Sequence, residues 1–551
     1  MSAFAARSLA VALAVAFAPV ARAQTPPPPP DIPATPTPPA QPAPSTLPAP
    51  PAATAPGAAP DPAAAAPPPA RPWTITPFIT LAATYSDNVA AVPAPAARSG
   101  WITDITPGLR IEADASRVRG FLEYRLHDLR YSTDSSLDAR QNYLQSRFTV
   151  DAVRNFAAVD LRADIAQESR SPFEAAPPGE TPTASANRVE TTTLEVSPWV
   201  RGAFGDVARY EARLRAGEVS TDDGTIPDTR TTEWAGRIGS ASASARLGWS
   251  VEASTLEARN DEIGALDDTR FRARLLWSVL PTLRLVAGTG VDRTDFAGPP
   301  TRREDTPGAG FFWIPSPRTS VAALYERRVF GDGYGASVSW RTARTAWRLA
   351  STKDAAVLPG LTAAGTRTNL ATLAADLLAA SNPDPEVREA QARAQLANAG
   401  ISGAPILGSS LLSSRPVVYR QTELTSLYTG VKDTLSFRYA FLEQQEYGEA
   451  LDGSPASGGA QHLRRWGVDL NWSHRFTPML TGTVALARLV TDGLSDGAPD
   501  TRQQFATASF ATALGQRTVA SAGVRFTRFD SSAPDASYDE KAVFVQVTMR
   551  F

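Results

Sequence analysis

The feature that most constrains this chain is a period of two. From Trp73 to the end, apolar and polar residues alternate in run after run. Between Val431 and Phe441, one face carries Val431, Leu435, Phe437, Tyr439 and Phe441, and the other carries Lys432, Thr434, Ser436 and Arg438. Tyr210, Ala212 and Leu214 alternate with Arg209, Glu211, Arg213 and Arg215; Val159, Leu161, Ala163 and Ile165 alternate with Asp160, Arg162 and Asp164. Trp466, Val468, Leu470 and Trp472 oppose Asp469, Asn471 and Ser473. Successive side chains of a strand point to opposite faces, so each run is a strand with one apolar and one polar face. A soluble sandwich alternates too, but its strands are short and its apolar face meets a second sheet. Runs of roughly ten residues or more, with charges filling the second face, suit lipid outside and water inside.

The connections extend this reading. Short turns, as at 155–157, 205–206, 281–282, 477–478 and 514–516, alternate with long polar loops, as at 88–99, 169–187, 298–305 and 448–460. Short turns at one end and long loops at the other predict an all-β fold. The expected form is a large antiparallel transmembrane β-barrel of about 22 strands, in a range of about 18–24, with both ends in the periplasm.

Three segments stand apart from the strands. Residues 1–23 read as a signal peptide: Arg7 is basic, Leu9 to Ala18 is an apolar run too short to span a bilayer, and Ala21-Arg22-Ala23 offers a cleavage site. Residues 24–72 are nearly all Pro, Ala and Thr and predict a disordered, extended periplasmic linker. Residues 73–551 form the barrel, interrupted at 355–415 by an α-helical insertion. There Leu370, Leu373, Leu377 and Leu378 recur at helical spacing, Asp384-Pro385-Glu386 reads as a helix start, and Gly400 as a stop. Strand parity puts the start of the insertion at the extracellular end. It either folds inward as a plug or stays outside as an ordered loop.

Composition narrows the chemistry. The chain has no Cys, which excludes disulfides, thiolate catalysis and Cys-based zinc sites. A net charge of −2 argues against a nucleic-acid partner. Only His127, His462 and His474 are present. Ser473 and His474 are adjacent, so on a strand they face opposite ways and do not pair as nucleophile and base. Asp222-Asp223-Gly224 and Asn260-Asp261-Glu262 are explained by turn chemistry. No catalytic residue, cofactor site or metal site is expected, and the chain reads as non-enzymatic. Only three of 54 basic residues are Lys, leaving 51 Arg. Arg209, Arg213, Arg215, Arg272 and Arg274 fall on predicted inner faces together with acids such as Asp160, Asp164 and Glu211. Such a lining either neutralises itself and stiffens the wall or binds a polyanion.

The last strand places Val543, Val545, Val547, Met549 and the terminal Phe551 on one face, opposite Glu540, Ala542, Gln546, Thr548 and Arg550, with Phe544 as an apolar exception. This is similar to the C-terminal strand that outer-membrane proteins present to the barrel assembly machinery. The resemblance implies that machinery and outer-membrane lipid as partners, and a cell outer membrane location. The chain also resembles outer-membrane proteins associated with the PEP-CTERM/exosortase system and exopolysaccharide loci. The likeness runs through Trp73-Thr74-Ile75-Thr76-Pro77, Thr84-Tyr85-Ser86-Asp87-Asn88, Ile105-Thr106-Pro107-Gly108-Leu109-Arg110, Leu122-Glu123-Tyr124-Arg125-Leu126, Val196-Ser197-Pro198-Trp199 and Glu326-Arg327-Arg328-Val329-Phe330-Gly331. It implies a role in exopolysaccharide export or assembly, with the polysaccharide or its export components as partners, and it carries over no catalytic residue. A general diffusion porin and a surface-exposed structural or interaction protein anchored by a plugged barrel are the rival readings.

Overall fold

The strands join edge to edge until the last meets the first. In the computed structural model, β1 (Trp73–Ser86) pairs with β2 (Gly100–Asp114) on one side and with β23 (Tyr538–Arg550) on the other. Every neighbouring pair is antiparallel. The structure describes residues 72–174, 187–295, 301–356, 416–447 and 462–551 apart from a few loop positions, together with parts of 370–401. The expected signal peptide, nearly all of the Pro/Ala linker, Asp384-Pro385-Glu386 and Gly400 lie outside the described residues.

Of the 23 strand segments, β12 (Arg302–Asp305) and β13 (Gly308–Ser316) both pair with β11 (Leu283–Thr294), one above the other. They are two parts of one stave, which makes a closed barrel of 22 strands. Residues 302–305 thus belong to the wall rather than to the loop expected at 298–305. The stave is interrupted at Thr306-Pro307, where Pro supplies no N–H to the ladder.

The two faces of the wall divide as the alternation requires. Trp101, Leu275 and Phe510 point outward and are 52%, 58% and 56% exposed, whereas Arg438 and Asp469 point inward and are 3% and 2% exposed. Apolar side chains outside and buried charges inside invert the soluble pattern. An outward girdle of Trp277, Trp340, Trp347, Trp472 and Phe476 lies near the short-turn end. A second group near the long-loop end includes Tyr85 and Trp101, whose rings meet edge to face at 5.3 Å. Aromatic rings collect where hydrocarbon gives way to headgroups, and a closed barrel leaves no strand edge unpaired in lipid. The chain is accordingly an outer-membrane β-barrel.

The closing seam explains the apolar exception. Phe544 faces inward against Gly523 of β22 (Thr518–Ser531), where a Cβ would come within 2.7 Å of the ring. Phe551 continues the seam with its N–H on the Pro77 carbonyl at 2.9 Å. Val543, Val545, Met549 and Phe551 are all exposed on the outer face, and Val547 shares that face by alternation.

Register supplies a first test. On β18 (Asp433–Glu446), Leu435 faces outward, and Ser436 faces inward at 2% exposure beside Leu427 and Asn471. Leu435 pairs with Trp472 of the girdle, where Arg costs only about 0–1 kcal/mol. Leu486→Arg, at an exposed outward position midway along β20 (Leu480–Gly493), is expected to cost about 2–4 kcal/mol. A wet inner wall at Ser436 would accept Arg freely, but this site is packed, so Ser436→Arg is also expected to destabilise. The freely substituted inward position is Arg209, which is exposed near the short-turn end of β7 (Ala208–Thr221). Refolding titrations should rank Arg209→Leu far below Leu486→Arg; equal costs would contradict the assigned faces.

Candidate lumenal site

The insertion leaves the wall at one end and is seated at the other. β16 (Thr345–Ala356) ends beside the start of β17 (Val417–Thr429), with Ala356 opposite Val417 at the long-loop rim. Ala355 and Ala356 are still strand, so the insertion spans 357–416. Its described helix, α1 (Leu370–Leu377), packs on Ala346 and Leu427, which are partners in the ladder near the short-turn end. Ten residues separate Ala346 from Ala356, about 33 Å of strand at roughly 3.3 Å per residue. α1 therefore lies most of the wall height away from the rim where the insertion begins.

The packing of that seat follows from the Leu spacing. Leu370 and Leu373 are each 1% exposed, and Ala374, Ala375, Ala392, Leu396 and Ile401 join them, with Leu377 and Leu378 at the margin. Val387 lies outside the described residues. The wall adds a polar contact: Arg341 Nη1 donates to the Asp376 carbonyl at 2.7 Å, near the C-terminal end of α1, where carbonyls lack partners within the helix. Asp376 is itself exposed, but the protein crowded around its carboxyl raises it above the ordinary range. Arg341, Arg348 and Arg388 oppose that rise.

Two loops reach over the opposite end. After β5 (Ala157–Ser169), Phe173 packs against Leu463 of β19 (His462–Arg475) and Leu442 of β18, across the ring from its own strand. Between the same loop and the inner wall lies a small cavity bounded by Pro172, Glu174, Arg465, Thr491 and Gln503. Beyond β18, Tyr447 packs against Ala258 and Leu266 of β9 (Leu247–Asn260) and β10 (Gly264–Leu280), and donates its hydroxyl to the Val329 carbonyl at 3.3 Å.

Between these ends, the inner wall holds its charges in pairs. Arg272 donates to Asp292 at 2.6 Å and to Glu326 at 3.3 Å, and Arg274 donates to Glu326 at 2.7 Å and to Glu252 at 2.6 Å. Asp292 also accepts from Arg328 at 2.5 Å, and Arg328 reaches Asp354 at 3.2 Å. The network crosses β9, β10, β11, β14 (Thr319–Arg328) and β16. Glycines make the span possible. A Cβ at Gly288 would lie 2.8 Å from Arg274 Cγ, one at Gly290 2.9 Å from Arg272 Cδ, and one at Gly308 2.7 Å from Glu326 Cγ. The arginines lie flat over strands stripped of side chains. Arg213 donates to Asp160 at 2.8 Å and to Ser197 at 3.0 Å, while Arg215 donates to Glu233 at 2.6 Å. Arg209 shares their face at the short-turn end. The five inner-face arginines thus fall into two sectors, one on β7 and one on β10.

The histidines separate in the same way. His127 faces inward, its Nδ1 2.8 Å from Asp104 and 3.0 Å from the Thr106 hydroxyl. Ser473 faces inward and is buried, while His474 faces outward on Asp433 at 2.7 Å, between Trp472 and Phe476. Among the described residues no group of three or more His, Asp or Glu is placed to hold a metal ion. Asp222 instead accepts from the Glu190 backbone N–H at 3.2 Å; Asp223 and residues 261–263 lie outside the described residues.

Sequence reasoning missed Asp292, Glu326 and Arg328 as the partners of Arg272 and Arg274. A signal was present in the alternate glycines Gly288-Thr289-Gly290 and Gly308-Ala309-Gly310, since Gly inside a strand often marks a close approach. Phe173 carried no signal, because nothing in a loop sequence states which distant strand it meets.

No family model matches the chain, and no curated protein sequence does either. Among solved structures, the siderophore receptor PirA from Pseudomonas aeruginosa is 9% identical, with 87% of this chain and 80% of that one covered at a TM-score of 0.42. The FrpB iron transporter from Neisseria meningitidis is 10% identical over 86% and 81% at 0.45. BauA, the ferric preacinetobactin receptor from Acinetobacter baumannii, is 10% identical over 86% and 80% at 0.41. Nothing about ligand or activity follows from likeness this distant.

Proposed function

We propose that this chain is a conduit held shut by its own insertion, serving export or assembly of an exopolysaccharide across the outer membrane in association with a PEP-CTERM/exosortase system. The observation that carries the closed state is the seating of α1 on Ala346 and Leu427, most of the wall height away from the point where the insertion begins. A general diffusion porin keeps an open lumen, and an insertion descending through the lumen disfavours that reading. The exopolysaccharide role is supported by the sequence resemblance. The paired arginines support only a rigid wall at rest, because a guanidinium already held by two carboxylates is not free for a polyanion. No reaction is assigned to the chain, and the barrel assembly machinery is its proposed partner during insertion, reading the strand that ends at Phe551.

A second reading draws on the mouth. Phe173 and Tyr447 tie loops from opposite staves together, as a surface platform anchored by a filled barrel would need. Removing the gene from its host separates the two. The conduit reading expects cell-bound and secreted polysaccharide to fall sharply, with polymer accumulating in the periplasm. Unchanged polysaccharide in the deletion strain favours the platform.

A further inference from the structure

We infer that the outer face of β16 to β21, at its extracellular end, binds a phosphorylated lipid of the outer leaflet. Five cations point outward there by strand alternation: Lys353 on β16, Arg420 on β17, Arg464 on β19, Arg488 on β20 (Leu480–Gly493) and Arg502 on β21 (Thr501–Ala513). The face is fixed by their neighbours, since Leu349, Trp472, Leu486 and Phe510 share it and are exposed. Lys353 and Arg420 are ladder partners, and Glu443 stands between Arg420 and Arg464 in register.

These cations differ from several other outward arginines of the upper wall, although Arg293 and Arg303, partners in the ladder of β11 and β12, also lack an ion pair among the described residues. Arg130 is held by Asp128 and Asp138, Arg140 by Asp128, and Arg528 by Asp530. Among the described residues, none of the five lies within ion-pair distance of a carboxylate, although Glu443, Asp492 and Asp530 stand beside Arg420, Arg464 and Arg502 in register, Asp530 turning to Arg528 instead. Glu443 makes its ion contact with His462 instead, at 3.9 Å. Two of the five rest on aromatic rings: the Arg420 guanidinium is 5.0 Å from the Phe441 ring centre and that of Arg488 is 6.0 Å from Trp466. Both rings face outward; Phe441 lies one outward position below Arg420, and Trp466 one outward position above Arg488, so the charges stand at an aromatic level near the long-loop end, where hydrocarbon meets headgroups. Four of the five side chains, all but Lys353, are exposed.

A guanidinium on the outer surface of a barrel has two sources of counter-charge, a neighbouring side chain or a lipid. Among the described residues the first is missing for these five cations and present for Arg130, Arg140 and Arg528. Arg pairs with phosphate through two parallel N–H donors, and several cations spaced across adjacent strands suit a headgroup bearing more than one phosphate. The occupant is therefore a phosphorylated outer-leaflet lipid, with its acyl chains against the apolar belt beneath the rings.

The test uses the full chain purified in detergent and diphosphorylated lipid A as probe, with retained lipid read by native mass spectrometry. The wild type is expected to retain lipid A in preference to its dephosphorylated form and to phosphatidylethanolamine. Arg420→Ala, Arg464→Ala, Arg488→Ala and Arg502→Ala combined should weaken retention roughly tenfold or more, with the heat-modifiable barrel intact. Arg130→Ala, in a paired sector, should leave it unchanged. If the combined variant fails to assemble, Arg464→Ala and Arg502→Ala alone are each expected to lower retention. The inference is overturned if retention ignores the phosphates, survives the substitutions, or drops equally in the Arg130 variant.

Discussion

Replacing residues 357–416 with a two-residue Asn-Gly turn is expected to leave a barrel that still assembles and that conducts ions far better than the full chain. Assembly survives because Ala356 and Val417 are already opposite each other in the ladder, so the ends need no rearrangement to meet. Asn-Gly is the turn that matches the twist of two antiparallel strands. Conductance rises because a ring of this size encloses more space than its own wall side chains fill. What holds the insertion down is apolar burial at the far end. Each fully buried Leu is worth roughly 1.5–3 kcal/mol, and Leu370, Leu373 and Leu427 are each 1% exposed. Such a seat does not empty by thermal motion alone, so a working conduit needs a partner or a polymer to displace it. Planar-bilayer recordings of the two proteins give the answer, and a folded deletion variant with unchanged conductance removes the closed-conduit reading.

Asp292→Ala is expected to cost about 3 kcal/mol of barrel stability, the lower end of what leaving a buried charge without its partner costs. Asp292 is 2% exposed and binds two guanidiniums, those of Arg272 and Arg328, which are 6% and 9% exposed. Arg272 retains Glu326 and Arg328 retains Asp354, so the loss is partly compensated and the barrel should still form. Asp530→Ala, which removes an exposed outward partner of Arg528, is the matched control and should cost no more than about 1 kcal/mol. Urea titrations of the refolded barrels distinguish them. A cost at Asp292 as small as that at Asp530 means that lumenal water solvates the network, and the inner wall is then available to an anionic polymer.

The sequence by itself determined which side of each strand meets lipid. The outward set on β18, from Leu435 to Phe441, was legible because side-chain direction in a strand depends only on parity. Parity and the alternation of short turns with long loops also gave a closed wall of about 22 strands, and the apolar ladder ending at Phe551 marked the last of them. The helical insertion was legible from its Leu spacing. The seat of that insertion was not, because Ala346 and Leu427 read as ordinary strand residues and become an apolar floor only when α1 lies on them. Nor was the pairing of the inner charges. Arg272 and Glu326 are 54 positions apart in the chain and meet only across intervening strands whose glycines give the side chains room. The wall was decided by local periodicity; the contents of the lumen were decided by contacts between staves, and only the closed ring sets those.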